Sequence, residues 1–277
     1  MKRAYKYKLN PTFKQQQMLL QTFSCARFIY NWGLDRKINA YKENKQSLSY
    51  IDLAGELTQL KKTEGHLWLR DVPNECLQQS LRNMDSAFSN FFKNNKRYPK
   101  FKSKRKSKDS AKYIQNVSFD FNEWRVKIPK CGWVKLCENM TFDMSNVKIG
   151  TLTVSRDKCG DFWCSVVVDD KQELKPKVKV SSSTAVGIDL GIKDFAILSD
   201  GTKISNPKYY ENALKRLAKL QRDFARTRNG SSRHKRARIR VARKYRHITN
   251  MRLDFLHKLS TYLISSFDTI CLEDLNV

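Results

Sequence analysis

The chain has 277 residues, 54 of them Lys or Arg and 27 Asp or Glu, for a formal charge of +27 at neutral pH. Its 40% hydrophobic content suffices for two or three packed cores, and the excess of cations points to a polyanionic partner, because neutralising phosphates releases condensed counterions. A secreted disulfide scaffold is excluded, since the seven cysteines (25, 76, 131, 137, 159, 164 and 271) are odd in number and scattered, as suits reduced thiols.

Residues 2–9 set Arg3, Tyr5, Tyr7 and Leu9 against Lys2, Lys6 and Lys8, the period of a half-buried strand rather than of a secretory signal. No run of 18 apolar residues occurs, so no membrane partner is expected, and the expected location is the cytoplasm, on the nucleoid. Pro11 and Thr12 then open a helix with Met18, Phe23, Ala26, Ile29 and Tyr30 on its apolar side. Further helices are predicted over about 49–62, on Leu53, Leu57 and Leu60, and over 73–95, on Leu77, Leu81, Met84, Phe88, Phe91 and Phe92. Residues 11–108 thus read as a helical insertion after a single strand at 1–10. The insertion ends in the run 93–108, which has nine basic residues, no acidic one, and Tyr98, Pro99 and Phe101 interleaved. That pattern suits an ordered arm laid along phosphates, with rings able to stack on bases. Lys93, Lys96, Arg97, Lys100, Lys102, Lys104 and Arg105 are its candidate backbone contacts.

Strands are predicted next at 117–121, 124–128, 132–136, 147–156 and 161–169; with residues 2–9 they suggest a small barrel of about six strands, the remainder of which spans 109–172. Cys131/Cys137 and Cys159/Cys164 fall in this stretch at spacings wider than a CxxC knuckle, and the chain has only four histidines, so no structural zinc is expected. Residues 173–184, rich in Lys, Pro and Ser, read as a linker into a last domain over 185–277.

That domain opens with strands at 185–190 and 194–199, a turn at Asp200-Gly201 and a short third strand. Two long helices follow. The first, about 207–227, is expected to turn Tyr210, Leu214, Leu217 and Phe224 inward; the second, about 232–266, Ile248, Met251, Phe255, Leu259 and Leu263. Between Lys215 and Lys258 stand 16 Lys or Arg against two Asp. Arg233, Lys235, Arg236, Arg238, Arg240, Arg243, Lys244 and Arg246 cover nearly every face of their stretch, which predicts a helix lying against nucleic acid.

Two carboxylates carry the chemistry. Asp189 stands on the domain's first strand and Glu273 ends a last strand, Ile270-Cys-Leu-Glu273. Phosphodiester cleavage by two metals needs carboxylates around Mg²⁺ ions about 4 Å apart, each ion keeping several waters. Asp189 would bridge the ions and Glu273 would serve one of them. No third acid follows on a later helix, so the pair is expected to be vestigial, with Mg²⁺ bound weakly or not at all and cleavage lost by several orders of magnitude.

Seven segments, in order, give the chain a resemblance to a known family: Ala26-Arg-Phe-Ile-Tyr-Asn31, Tyr98-Pro-Lys-Phe-Lys102, Ile128-Pro-Lys-Cys-Gly-Trp-Val-Lys135, Gly187-Ile-Asp-Leu-Gly-Ile-Lys-Asp-Phe-Ala196, Asn206-Pro-Lys-Tyr-Tyr210, Asp254-Phe-Leu-His-Lys258 and Leu272-Glu-Asp-Leu-Asn276. The chain resembles TnpB, the transposon-encoded RNA-guided nucleases. The resemblance implies an α+β multidomain protein: a wedge β-barrel with an inserted helical recognition domain, then a truncated RuvC domain of RNase H-like α/β fold. It also implies a guide RNA and a double-stranded target DNA as partners, the RNA pairing with one DNA strand while the protein contacts the heteroduplex by shape and phosphate. Members of the family continue past the second acid into further helices, a four-cysteine zinc module and a third catalytic Asp. A chain without these resembles the nuclease-dead TldR-type derivatives, which implies RNA-guided DNA binding and transcriptional repression and no enzyme activity. The alternatives are an RNA-guided DNA endonuclease in truncated form and a protein that only binds or processes its guide RNA. By the family's motif-reading positions, Tyr50, Asn74, Gln78, Gln115 and Asn116 would read a short flanking duplex, and because Asn and Gln suit adenine bidentately, an A/T-rich motif is expected. The residues leave monomer and dimer equally open.

Overall fold

The structure is a computed structural model that describes residues 2–94, 97–139, 148–169 and 185–273. The chain divides into two compact units, Met1–Glu173 and Leu174–Val277. The expected linker at 173–184 lies outside the described residues, as do Lys96 and Asp274.

The first unit opens with strand β1 (Lys2–Asn10) and helix α1 (Phe13–Asn44). Thr12 caps the helix reciprocally: its hydroxyl accepts from the Gln15 N–H, and the Gln15 side chain accepts from the Thr12 N–H at 3.0 Å. Helix α2 (Tyr50–Leu60) is capped in the same way by Ser49 and Asp52. A 3₁₀ segment (Glu64–Asp71) then leads to α3 (Asn74–Asn94). Ile29, Leu34, Leu53, Leu57, Leu69, Leu77, Leu81 and Met84 bury themselves between these helices, each at most 1% exposed. Gly33 permits the close approach of α3 to α1, since a Cβ there would lie 2.7 Å from Leu81 Cδ2. Phe92, expected on the apolar side of α3, is instead 72% exposed; it lies one residue beyond the half-buried Phe88–Phe91 edge.

The sheet of this unit has seven strands, one more than expected. They are β1, β2 (Asp109–Tyr113), β3 (Ser118–Asp120), β4 (Arg125–Ile128), β5 (Gly132–Leu136), β6 (Lys148–Arg156) and β7 (Phe162–Asp169), in the order β2-β6-β7-β1-β5-β4-β3. Every ladder is antiparallel, and β1 is central, paired with β7 on one side and β5 on the other. The sheet coils around one core. Tyr113 of edge strand β2 meets Thr22 and Cys76 and lies near Cys131, which belongs to the β4–β5 turn at the far side of the strand order. Burial pushes its phenol well above the ordinary pKa. No ladder joins β2 to β3 among the described residues, so the hydrogen bonding does not close into a barrel there.

The second unit holds β8 (Ala185–Leu190), β9 (Asp194–Leu198) and β10 (Lys203–Ser205), helices α4 (Tyr209–Ala225) and α5 (Ser232–Ser266), and β11 (Thr269–Leu272). The strand order is β10-β9-β8-β11; the first three are antiparallel neighbours and β11 runs parallel to β8. Val186, Ile188, Ala196 and Leu198 form the core of one sheet face, covered by Leu263 and Phe267 from the end of α5. The helices pack along a thin seam of Tyr209, Ala213, Leu217, Val241 and Ile248. This corrects the expected face of α4: Tyr210 and Leu214 are 41% and 46% exposed, because the stripe that packs begins one residue earlier, at Tyr209, with Ala213 small enough to let α5 approach. Among the described residues no helix is long and apolar enough to cross a membrane.

Candidate nucleic-acid interface and carboxylate pair

Period-two alternation fixes the faces of β8. Val186 and Ile188 point into the core, so Gly187 and Asp189 belong to the opposite face. Thr269, Ile270, Cys271 and Leu272 of β11 stand opposite Ala185, Val186, Gly187 and Ile188. The ladder ends there, and Asp189 and Glu273 are the next residue on each side. Continued by one step, the register would set Glu273 opposite Asp189, on the side of the sheet away from its core. On the other flank of Asp189, Ile197 of β9 and then Lys203 of β10 complete the row. Behind it the Gly187 N–H donates to Ser199 Oγ at 3.1 Å, which ties β8 to the β9 end. Asp189 and Glu273 are both exposed, and neither side chain forms a hydrogen bond or ion pair among the described residues. Among those residues no group of three or more His, Cys, Asp or Glu could hold a metal ion. Two carboxylates on one face do suit a single hard divalent cation that keeps much of its shell as water.

The five candidate motif-reading residues are brought together around α3 rather than scattered. Glu75 Oε2 accepts from both the Ile114 and Gln115 N–H groups at 2.9 Å, which fastens the Gln115–Asn116 loop to the first turn of the helix. Asn116 itself takes a left-handed φ of +56°. Asn74 and Gln78 are one turn apart on α3, and the next residue in that row is Arg82, whose guanidinium lies 4.9 Å from the centre of the Tyr50 ring. Arg82 is exposed and was not among the expected contacts; its four-residue spacing from Gln78 is the signal that marks it.

The basic arm is anchored through two of the segments quoted above. Asn31 Nδ2 donates to the Lys102 carbonyl at 2.9 Å and Asn31 Oδ1 accepts the Lys102 N–H at 2.7 Å. The Lys102 ammonium lies 3.7 Å from the centre of the Tyr30 ring, and burial holds its pKa below the ordinary value. Lys102 is therefore part of the anchor, unlike Lys93, Arg97, Lys100, Lys104 and Arg105, which are exposed. Ser103 and Ser107 close a turn through the Ser107 N–H to Ser103 carbonyl bond of 2.9 Å, and that turn presents Lys104 and Arg105. Tyr98 packs edge-on against Phe88 and Phe91 at 5.5 and 5.3 Å while still 45% exposed. In the second unit, Arg233, Lys235, Arg236, Arg238, Arg240 and Arg243 are exposed along α5, whereas Lys244 and Arg246 are half-buried. The helix is not basic on every side: His234 stacks 4.5 Å from Phe224, and Val241 joins the seam with α4.

Known proteins resemble the chain along its whole length. A family model described as "Probable transposase" (OrfB_IS605) matches residues 165–277, and one described as "Helix-turn-helix domain" (HTH_OrfB_IS605) matches residues 1–46. In the structure that N-terminal stretch is β1 followed by one continuous helix. A "Putative RNA-guided DNA endonuclease" of Streptomyces pristinaespiralis is 38% identical over 281 residues, a match covering 100% of this chain and 67% of that protein. A "Putative RNA-guided DNA endonuclease InsQ" of Escherichia coli (strain K12) is 32% identical, covering 99% of this chain and 66% of that protein. A CRISPR-Cas12f ternary complex solved by cryo-EM aligns with a TM-score of 0.38 and 13% identity over 94% of this chain and 63% of that one, too distant to bear on the fold. The chain thus spans about two thirds of the length of these curated relatives. The expectation of a protein without enzyme activity is overturned by those relatives, which carry the name of DNA endonucleases. A third carboxylate missing from 277 residues is no argument for inactivity when the relatives are half as long again.

Proposed function

The chain belongs to the TnpB family, the OrfB_IS605 proteins, and from that membership we propose that it carries the guide-binding part and two carboxylates of an RNA-guided DNA endonuclease. The observation that supports this reading is the parallel β8–β11 register, which ends at Leu272 opposite Ile188 and, continued by one residue, would bring Glu273 beside Asp189. The strand order β10-β9-β8-β11 supports a RuvC domain of RNase H-like topology, and the coiled seven-strand sheet with its helical insertion supports a wedge barrel carrying a recognition domain.

In this reading the basic arm and the exposed cations of α5 hold guide RNA and the RNA–DNA heteroduplex through phosphates. Tyr50, Asn74, Gln78, Gln115 and Asn116 read a short flanking duplex, with Asn and Gln side chains favouring A/T-rich sequence. Asp189 and Glu273 would hold a divalent cation, which when bound supplies an activated water and neutralises charge at the scissile phosphate. The carboxylates orient that water against the phosphodiester, and their exposure leaves the face open to a strand. Two carboxylates alone would hold such a cation weakly, and a nucleic-acid phosphate would add a further anionic oxygen.

The test uses the protein expressed from its own gene neighbourhood, with the RNA that co-purifies sequenced and resynthesised. A guide-matched duplex should be bound and, with Mg²⁺, cut. Asp189→Asn should leave binding intact while slowing cutting by at least about a hundred-fold. Equal cutting by wild type and Asp189→Asn, or a bound duplex that wild type leaves whole, would refute the assignment.

A further inference from the structure

Three cations without a carboxylate partner converge beside Asn74. Arg70, exposed near the end of the 3₁₀ segment, donates from Nε to the Lys61 carbonyl at 2.8 Å. Lys61, just past α2, donates from Nζ to Asn74 Oδ1 at 2.7 Å. Lys130, exposed on the β4–β5 turn, donates from Nζ to the Arg70 carbonyl. Hydrogen bonds thus gather the end of α2, the 3₁₀ segment and a hairpin turn, each bringing one cation, beside Asn74 at the start of α3. Among the described residues no acid lies within ion-pair distance of Lys61, Arg70 or Lys130. Partial burial, and then the charges of Arg70 and Lys130, hold the Lys61 ammonium below its ordinary pKa. The cluster repels itself until an anion arrives.

A second observation comes from the backbone. Lys130 has a left-handed φ of +60°. It follows Pro129, and the Cys131 N–H closes the turn onto the Ile128 carbonyl at 3.0 Å. The third position of such a turn favours Gly or Asn, so a lysine there holds strain that glycine, with no Cβ, would release. Strain of this kind persists where the side chain has a task.

The geometry points to a phosphate clamp: Lys61, Arg70 and Lys130 grip the sugar–phosphate backbone of duplex DNA beside Asn74. This inference rests on the reading of Asn74 and Gln78 as residues that face the flanking duplex. It assigns the cluster to DNA because the chain of hydrogen bonds from Lys130 through Arg70 and Lys61 leads to Asn74, one of those two side chains. None of the three cations lies in the basic runs at 93–108 or 233–246, and they are scattered over 70 residues of sequence. By fixing the depth of the duplex, the clamp would set which base edges Asn74 and Gln78 can reach.

Lys130→Gly separates this role from a structural one, because it removes the ammonium and relieves the backbone at the same time. The guide-loaded protein is titrated with a guide-matched duplex between about 50 and 200 mM KCl, the range over which phosphate contacts show as a slope of log K against log[KCl]. The slope should become shallower by about 1 in Lys130→Gly, and likewise in Arg70→Gln. The loss should be the same for duplexes with intact and singly substituted flanking base pairs, and the Tm of Lys130→Gly should equal or exceed that of wild type. An unchanged slope at wild-type Tm would overturn the clamp. So would an equal slope change for guide RNA alone, which would give the cluster to RNA. Wild-type protein that shows no guide-dependent duplex binding would instead sink the endonuclease reading, and the clamp with it.

Discussion

Replacing Asn31 by Ala should release the basic arm without unfolding the helical body. The Asn31 side chain satisfies both the N–H and the carbonyl of Lys102, at 2.7 and 2.9 Å, in a part-buried setting. Each such bond is worth about 1 kcal/mol net, and more where truncation leaves a half-buried polar group without a partner. Loss of the pair therefore costs roughly 2 kcal/mol, because Ala offers neither donor nor acceptor. The Lys102 ammonium would also lose its hold over the Tyr30 ring, an added fraction of about 1 kcal/mol. If the cost is spent locally, the arm opens about thirty-fold more often, at about 1.4 kcal/mol per decade. Limited trypsinolysis under conditions of fast reclosing reads that population directly. Cleavage at Lys100, Lys104 and Arg105 should accelerate by about that factor while the global urea midpoint moves little. Cleavage rates within about three-fold of wild type would refute the reasoning, since they would mean that the arm is held by something other than Asn31.

Three further outcomes are expected. Asn74→Ala combined with Gln78→Ala should cost about 1–3 kcal/mol per lost base contact on duplexes carrying the preferred flanking pairs, and little on others, as read from affinities across a panel of substituted flanks. Gly191→Ala should destabilise the second unit by about 1–3 kcal/mol, because a Cβ there would sit 2.8 Å from the Asp194 carbonyl oxygen, which belongs to backbone and cannot swing aside; a thermal melt checks this, with Gly55→Ala, inside α2 where nothing lies within 4 Å, as a contrasting control that should hold or raise stability. Burial pushes the thiols of Cys25 and Cys131 up to about 11 and that of Cys164 to about 12, so at pH 8 a disulfide reagent should modify the exposed Cys137 and Cys271 first, and fast labelling of Cys164 would contradict the packed sheet.

Most elements were legible because their patterns are strong. Leu53/Leu57 and Leu77/Leu81/Met84 repeat at helical spacing and are fully buried on that face. Cys164, Val166 and Val168 recur at strand spacing and reside in the sheet core. Strand β2 escaped because Asp109-Ser-Ala-Lys-Tyr113 has no β-branched residue; only Ala111 and Tyr113 mark it, and it is held by its ladder to β6 and by burial under α3. The face of α4 slipped by a residue because Leu214 outweighs Ala213 in apolar character, while close helix packing prefers the smaller side chain. Asp189 and Glu273 were visible as residue types at strand ends. Their apposition was not, because it depends on a register that only the parallel ladder specifies. The Lys61–Arg70–Lys130 cluster left no local trace at all: turns from four elements make it, and charge counting favours runs over such convergence.

The β8–β11 ladder also favours an order of assembly. Asp189 and Glu273 are 84 residues apart in sequence, and every residue of α4 and α5 lies between them. Closing so long a loop directly carries an entropic penalty that local contacts escape. The antiparallel α4–α5 hairpin can form first from near neighbours and, once folded, returns the chain close to where it left the sheet. The last strand then docks at a short effective distance, and the carboxylate pair appears only at that late step. A growing polypeptide thus acquires its long basic helices before its acidic pair is assembled.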